Sequence, residues 1–148
     1  MAVRVQREDF DVAAEIAALT AGRTDIGAIV TFMGRVRGGE GSVAAMTLEH
    51  YQGMTEAELS RIEAEAQSRW LLQASLIVHR VGELKPGDNI VLVVTASAHR
   101  QAAFEAAGFL MDYLKTRAPF WKKETDASGE TAWVEAHDQD ESAARRWS

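Results

Sequence analysis

The amino-acid sequence predicts an α+β fold in one domain covering residues 1–148. Three observations carry that prediction. Ala74 to Val81 and Asn89 to Ala96 are strand-like runs separated by GELKPGD, whose Pro86-Gly87 is a turn signal, so they read as an antiparallel hairpin. From His99 the chain reads as one long helix, which Pro119 stops before a short strand beginning at Phe120. No repeat, low-complexity linker or second domain is visible along the chain.

Taken in order, Val3 and Val5 alternate with polar residues and predict a first strand. Asp11 is placed to cap a helix whose Val12, Ile16 and Leu19 form a narrow apolar stripe, with Gly22 as its left-handed stop. Residues 27–33, GAIVTFM, are almost continuously apolar and fit a strand buried on both faces. Four glycines within Gly34 to Ser42 predict a mobile loop, and Val43 to Tyr51 a strand pairing back across it. Thr55 with Glu58 makes a capping box and Met54 with Leu59 a hydrophobic staple, opening a helix that turns Leu59, Ile62 and Ala66 inward as far as about Trp70. His79 and Arg80, just before Gly82, read as satisfied residues at a sheet edge. Ser97 is the expected cap of the long helix, with Phe104, Ala107, Met111 and Leu114 as its buried stripe. After Phe120 and Trp121 come Lys122, Lys123 and Glu124. A turn at Asp126 to Gly129 and a returning strand at Thr131 to Ala136 follow, and the tail ESAARRWS is a short helix ending in Trp147.

Composition excludes several classes of function. Cysteine is absent, which removes disulfides, thiolate metal sites and cysteine nucleophiles. The four histidines, His50, His79, His99 and His137, include no i, i+4 pair of the kind a zinc helix uses, so no metal or cofactor is expected. A net charge of −6 argues against nucleic acid, whose phosphates need a basic face. The sequence holds no apolar run of about 18 residues that would span a membrane, and its first ten residues, MAVRVQREDF, lack a leader's apolar core. The expected location is the cytoplasm.

Against this acidic background, residues 99–124 are locally basic. Arg100, Lys115, Arg117, Lys122 and Lys123 outnumber Glu105, Asp112 and Glu124, which points to a small anionic ligand. Arg35 and Arg37 stand at the base of the glycine loop, and their forked guanidinium groups suit phosphate or carboxylate. Ordinary solvated surface charges would look the same in sequence, so both readings stay open. Geometry adds one constraint. His99 and Arg100 fall in the helix's first turn, where backbone N–H groups favour an anion. Lys115 is 16 residues beyond His99, roughly 24 Å along the axis. The two ends can share one small ligand only if two copies of the chain assemble the site, as a two-fold dimer would allow.

Six segments occur in a fixed order: FMGRVR; TLEHY with Met54 beyond it; HRVGEL followed by PGD; SAHRQAAFEA; MDYLKTRAPFWKKE; and TAWVEA. Together they closely resemble the large, catalytic subunit of molybdopterin synthase, from about residue 27 to the C-terminus. The resemblance implies an α+β fold with an α/β-hammerhead element and antiparallel strands. It implies a sulfurtransferase that converts cyclic pyranopterin monophosphate to molybdopterin, building the dithiolene that later holds molybdenum. The sulfur would arrive as a thiocarboxylate on the C-terminal Gly-Gly of a small ubiquitin-like subunit. The assembly would be a heterotetramer around a homodimer of large subunits.

The same resemblance assigns residues. Arg35, Val36 and Arg37 match the base of the substrate loop, and Phe32 and Met111 match pocket walls. His99 and Arg100 match a substrate-binding pair, assigned to the neighbouring copy's site. Lys115 matches the catalytic lysine nearest the incoming thiocarboxylate. Lys122 matches a second catalytic lysine, with Lys123 and Glu124 as its neighbours on the substrate. After WVEA the family often has arginine where this chain has His137, which would make a phosphate contact there pH-dependent. A non-catalytic dimeric module binding a phosphorylated metabolite would need the same basic cluster, and the residues alone do not separate it from the enzyme.

Overall fold

The computed structural model describes residues 2–38, 44–125, 129, 131–134 and 138–147, apart from the side chains of 131, 134 and 138–141. These residues form eight strands and four helices in α+β arrangement around two four-stranded sheets. The first sheet has the order β1 (Ala2–Gln6), β4 (Ala74–Arg80), β6 (Asn89–Ser97), β2 (Ala28–Arg35). Its β1 runs parallel to β4 and its other pairings are antiparallel. The second sheet has the order β5 (Gly82–Leu84), β3 (Ala45–His50), β7 (Phe120–Thr125), β8 (Thr131–Val134), antiparallel throughout.

The centre of the first sheet follows from its residues. Alternation in β4 and β6 sends Leu76, Val78, Leu92 and Val94 to one face, where Phe10 and the stripe of α1 (Val12–Thr20) cover them. Ile77, Val91 and Val93 go to the other, under α2 (Met54–Arg69) and α3 (Arg100–Arg117). Asp11 caps α1 as its side chain predicts, accepting from the Ala14 N–H at 3.1 Å. The Pro86-Gly87 turn is present, with Gly87 at φ 92° and the Asp88 N–H donating to the Lys85 carbonyl at 2.9 Å. Helix α4 (Asp138–Arg145) docks Ala144 and Trp147 against the α3 side of the core.

Several local expectations need correction. Residues 27–33 are not buried on both faces. Strand β2 is the sheet's edge, and Ile29, Phe32 and Met33 are each about two-fifths exposed; Ile29 and Met33 stand on the α1 face beyond the strands that α1 covers, and Phe32, opposite Val93, stands on the other face. Strand β3 does not return to β2 but enters the second sheet between β5 and β7. The N-cap of α2 is Gly53 at φ 86°, whose N–H donates to Glu56 Oε2 at 2.9 Å. Thr55 is fully buried and donates instead to the Pro119 carbonyl at 3.1 Å, while Met54 is exposed and forms no staple. Ser97 does not cap α3. It is buried and donates to the Leu71 carbonyl, leaving His99 as the N-cap without a side-chain bond. Phe104 is 64% exposed, so the buried face of α3 is rotated to Ala103, Ala106, Ala107, Leu110 and Leu114, with Phe109 and Tyr113 flanking. Residues 39–43 of the glycine loop, 126–128 of the predicted turn, and His137 lie outside the described residues.

Candidate active site

Strand β7 carries the densest functional lettering, and its alternation divides it. Phe120, Lys122 and Glu124 share one face; Trp121 and Lys123 share the other. The cross-strand partners identify the faces. Lys122 stands opposite Leu48 and Glu124 opposite Met46, both members of the second sheet's buried cluster with Val36 and Leu84. Lys123 stands opposite Thr47 on one side and Trp133 on the other, with its ammonium 5.9 Å from the exposed Trp133 ring. Lys122 and Lys123, adjacent in sequence, therefore serve different surfaces. Lys122 pairs with Glu124 at 3.1 Å, both about one-third exposed, so the pair contributes only about 0.2–1 kcal/mol. Its value is positional: the carboxylate holds one side of an ammonium that keeps a solvent-facing side.

The strand is set in place at Phe120. That ring stacks on His79 with centroids 3.9 Å apart and planes 20° from parallel. The sequence places His79 at a sheet edge; the structure buries it on β4, flanked by β1 and β6. Its parity with Ile77 turns it toward the helix face, and its Cα partners are Val5 and Val91. His79 Nδ1 lies 2.8 Å from the Arg80 carbonyl, which can only accept, so Nδ1 carries the proton of the neutral ring. Burial is the main cause that lowers its pKa to about 4; the Arg80 bond works against it, and the charges of Lys115 and His50 add to the lowering.

Lys115 thus belongs to the same neighbourhood. It sits in the last turn of α3, five residues before Phe120, and its backbone is anchored by the buried Leu114 beside it. The C-terminal end of α3 welcomes a cation, because its last carbonyls carry the negative end of the helix dipole. Lys122 lies two residues past Phe120, about 7 Å along the strand and on the same face. The charge of Lys115 thus acts on one ring of the His79–Phe120 stack, and Lys122 shares a strand face with the other. On its remaining side, His50 stands opposite Phe120 in β3, with Nε2 3.4 Å from Glu56 Oε1. Arg117 is drawn elsewhere: its guanidinium lies 4.8 Å from the Tyr113 ring, beside a hollow of about 160 Å³ that none of these lysines lines.

Val36 reaches this region through the core. Its side chain is 2% exposed among Met46, Leu48 and Leu84, and its N–H and carbonyl bond Asp88 and Gly87, so the residue positions its neighbours and has no free polar group of its own. Arg35 and Arg37 flank it and are exposed. Arg35 is held by two bonds to the Gly87 carbonyl, from Nη2 at 2.7 Å and Nε at 3.2 Å. Met111 is half-buried against the main cluster, and Phe32 is exposed on β2. His99 and Arg100 are exposed at the far end of α3, a continuous 18-residue helix, and so remain roughly 24 Å from Lys115 within one chain. Among the described residues no group of three or more His, Asp or Glu side chains could hold a metal ion.

Sequence reasoning missed His79, His50 and Glu56. The parity of His79 with Ile77 in an otherwise apolar strand was the available signal for the first. The other two depend on a β3–β7 pairing that joins residues about seventy positions apart.

Comparison with known proteins identifies the family. The family model described as MoaE protein matches residues 5–117. The molybdopterin synthase catalytic subunit of Mesorhizobium japonicum is 65% identical over 147 residues, spanning 98% of this chain and 92% of that one. Among solved structures, a molybdopterin biosynthesis MoaE protein from Burkholderia ambifaria superposes with a TM-score of 0.85 at 53% identity, covering 99% of this chain and 98% of its own. A molybdopterin synthase from Staphylococcus aureus superposes with a TM-score of 0.80 at 28% identity, covering 88% and 95%.

Proposed function

We propose a function from the premise that this chain belongs to the MoaE protein family: it is the catalytic subunit of a molybdopterin synthase, a sulfurtransferase of molybdenum cofactor biosynthesis. What supports the active-site assignment is that β7, held by the His79–Phe120 stack, carries Lys122 on the face of Phe120 just after the helix end that carries Lys115. A chain without cysteine cannot carry the sulfur as its own persulfide, so the sulfur comes from a companion. That companion is a small ubiquitin-like subunit ending in a Gly-Gly thiocarboxylate. The substrate is cyclic pyranopterin monophosphate, whose phosphate suits Arg35 and Arg37.

In this reading the thiocarboxylate sulfur adds to a carbonyl-level carbon of the pterin side chain, the C–O π pair moving onto oxygen, which is protonated and leaves as water; substrate and carrier are then joined through an acyl–sulfur bond. Lys115 handles the proton near the acyl carbon, and Lys122 offsets negative charge developing on oxygen. Water then cleaves the acyl–sulfur bond, returning the carrier as a carboxylate. A second loaded carrier repeats the cycle to complete the dithiolene. His99 and Arg100 serve the site of a second copy, within a homodimer that forms the core of a heterotetramer. The unpaired edge of β2, with Ile29, Phe32 and Met33 exposed along it, is the kind of surface that calls for a cover. No described helix is long and apolar enough to cross a membrane, and we assign the protein to the cytoplasm.

The test is reconstitution: the chain mixed with thiocarboxylated small subunit and pyranopterin should yield a dithiolene product. Lys115→Ala should retain the fold by circular dichroism and lose turnover. A variant with undiminished rate would remove Lys115 from the chemistry.

A further inference from the structure

We propose that Thr55 and His79 are positioning residues: by gripping the Pro119 carbonyl and the Phe120 ring, they fix the turn that sets where Lys122 stands relative to Lys115. The inference rests on the roles proposed for those two lysines and adds the groups that hold the spacing between them.

Seven residue steps separate the two lysines, and an extended chain of that length reaches about 25 Å, so the turn between them decides their separation. Its centre is Pro119, whose ring fixes its own φ. Ala118 before it is extended, at φ −73° and ψ 131°, which ends α3. The Phe120 N–H donates to the Ala118 carbonyl at 2.9 Å and closes a three-residue γ-turn. One such bond is worth only about 0.5–1.5 kcal/mol net. The rest of the chain grips the turn from outside at three successive residues. At Pro119, the Thr55 hydroxyl of α2 donates to the carbonyl at 3.1 Å. At Phe120, the ring stacks on His79 of β4 at 3.9 Å, and His79 is itself held by the Arg80 carbonyl, 2.8 Å from Nδ1. At Trp121, the ring meets Tyr51 edge to face at 4.2 Å, and the Tyr51 carbonyl accepts from the Thr55 N–H at 2.9 Å. Thr55 is the informative residue. A threonine hydroxyl in a helix ordinarily bonds backbone close to it in sequence, and packing alone at this fully buried position needs only a valine. Its hydroxyl instead reaches across 64 positions of sequence to the junction between the two lysines.

The chain has no cysteine, so nitroxide labels at Lys115→Cys and Lys122→Cys report the separation in the free protein, without substrate or activity. Electron paramagnetic resonance should give one narrow distance while Thr55 and His79 are intact. That distance should shift or broaden in Thr55→Val and His79→Leu. It should stay narrow in Thr55→Ser, which keeps the hydroxyl, and in His79→Phe, which keeps a ring for the stack. In reconstituted enzyme with both lysines in place, kcat should fall about tenfold in Thr55→Val and His79→Leu with KM within about twofold. Thr55→Ser and His79→Phe should keep most of the rate. Leu19→Ala, in the α1 stripe on the opposite face of the first sheet, is the control for lost stability and should change neither reading. An unchanged distance in Thr55→Val, or the same change in Thr55→Ser, would overturn the proposal, and that pair decides the matter if His79→Leu does not fold. Failure of the lysine roles would show separately, as a distance that shifts in Thr55→Val while kcat holds.

Discussion

At its N-terminal end α3 presents His99 and Arg100 to solvent, with no side-chain bond at the cap. At its C-terminal end Lys115 is also exposed, its charge acts on the buried His79, and the strand that follows stacks Phe120 on that ring and bears a second lysine. Both ends carry exposed cations suited to an anion, yet only the C-terminal one runs on into a strand of its own chain that bears a further lysine pair. The difference teaches that a helix can belong to two sites. In the proposed assembly its C-terminal end serves a site in its own protomer, and its N-terminal end serves another's.

The largest effect that would sharpen this contrast is at Lys115. Replacing it by Ala should cost about 10²–10⁴-fold in kcat with the thermal midpoint nearly unchanged, because in the proposed mechanism its ammonium passes a proton and its side chain is exposed. Next comes the division of β7. Lys122→Ala should lower turnover tenfold or more by the logic of charge stabilisation, whereas Lys123→Ala, on the face shared with Trp133, should stay within about twofold. Equal losses in assays of the two variants would erase the distinction between the faces.

A smaller effect concerns stability and pH. His79 has its pKa lowered from 6.5 to about 4, so between those values the unfolded chain binds a proton that the folded chain refuses. Its contribution is fully present above pH 6.5 and is lost as pH falls toward 4, amounting to about 3 kcal/mol by pH 4. Buried Glu63, whose pKa burial raises, works in the opposite direction, losing stability as pH rises through the carboxylate range. The difference between wild type and His79→Gln in urea melts at pH 7, 5.5 and 4.5 therefore isolates the histidine. The gap should shift in favour of the variant as pH falls. Smallest of all, Thr55→Val should destabilise by about 1–3 kcal/mol, through the Pro119 carbonyl it leaves without its donor, and a urea midpoint reads it directly.

Much of the fold was legible because its signals are local. Asp11 before an apolar stripe, Pro86-Gly87 between two strands and Pro119 after a helix each act on their own few residues of backbone. What was not legible depends on distant partners. Helix α3 is apolar on nearly every side, with Ala103, Phe104, Ala106, Ala107 and Phe109 in seven residues, so only the sheet beneath it decides that Phe104 faces outward. Strand β3 could pair with β2 by proximity in sequence, but β7 supplies the register that wins. The candidate site divides the same way. Arg35, Arg37, Lys115 and Lys122 stand out as charges in a recognisable order, whereas the surroundings of His79 depend on a ring that reaches it from forty residues away.

The account depends most on the two ends of α3 serving different protomers, and mixing two inactive chains tests it directly. Lys115→Ala and Arg100→Ala should each be inactive alone in the reconstituted assay. Mixed in equal amounts and allowed to exchange, half of the dimers become hybrids in which one site carries both lesions and the other none, so about one quarter of wild-type activity should return. A mixture as dead as its components, with hybrid dimers demonstrated by mass, would show that Lys115 and Arg100 do not meet across copies and would contradict the account.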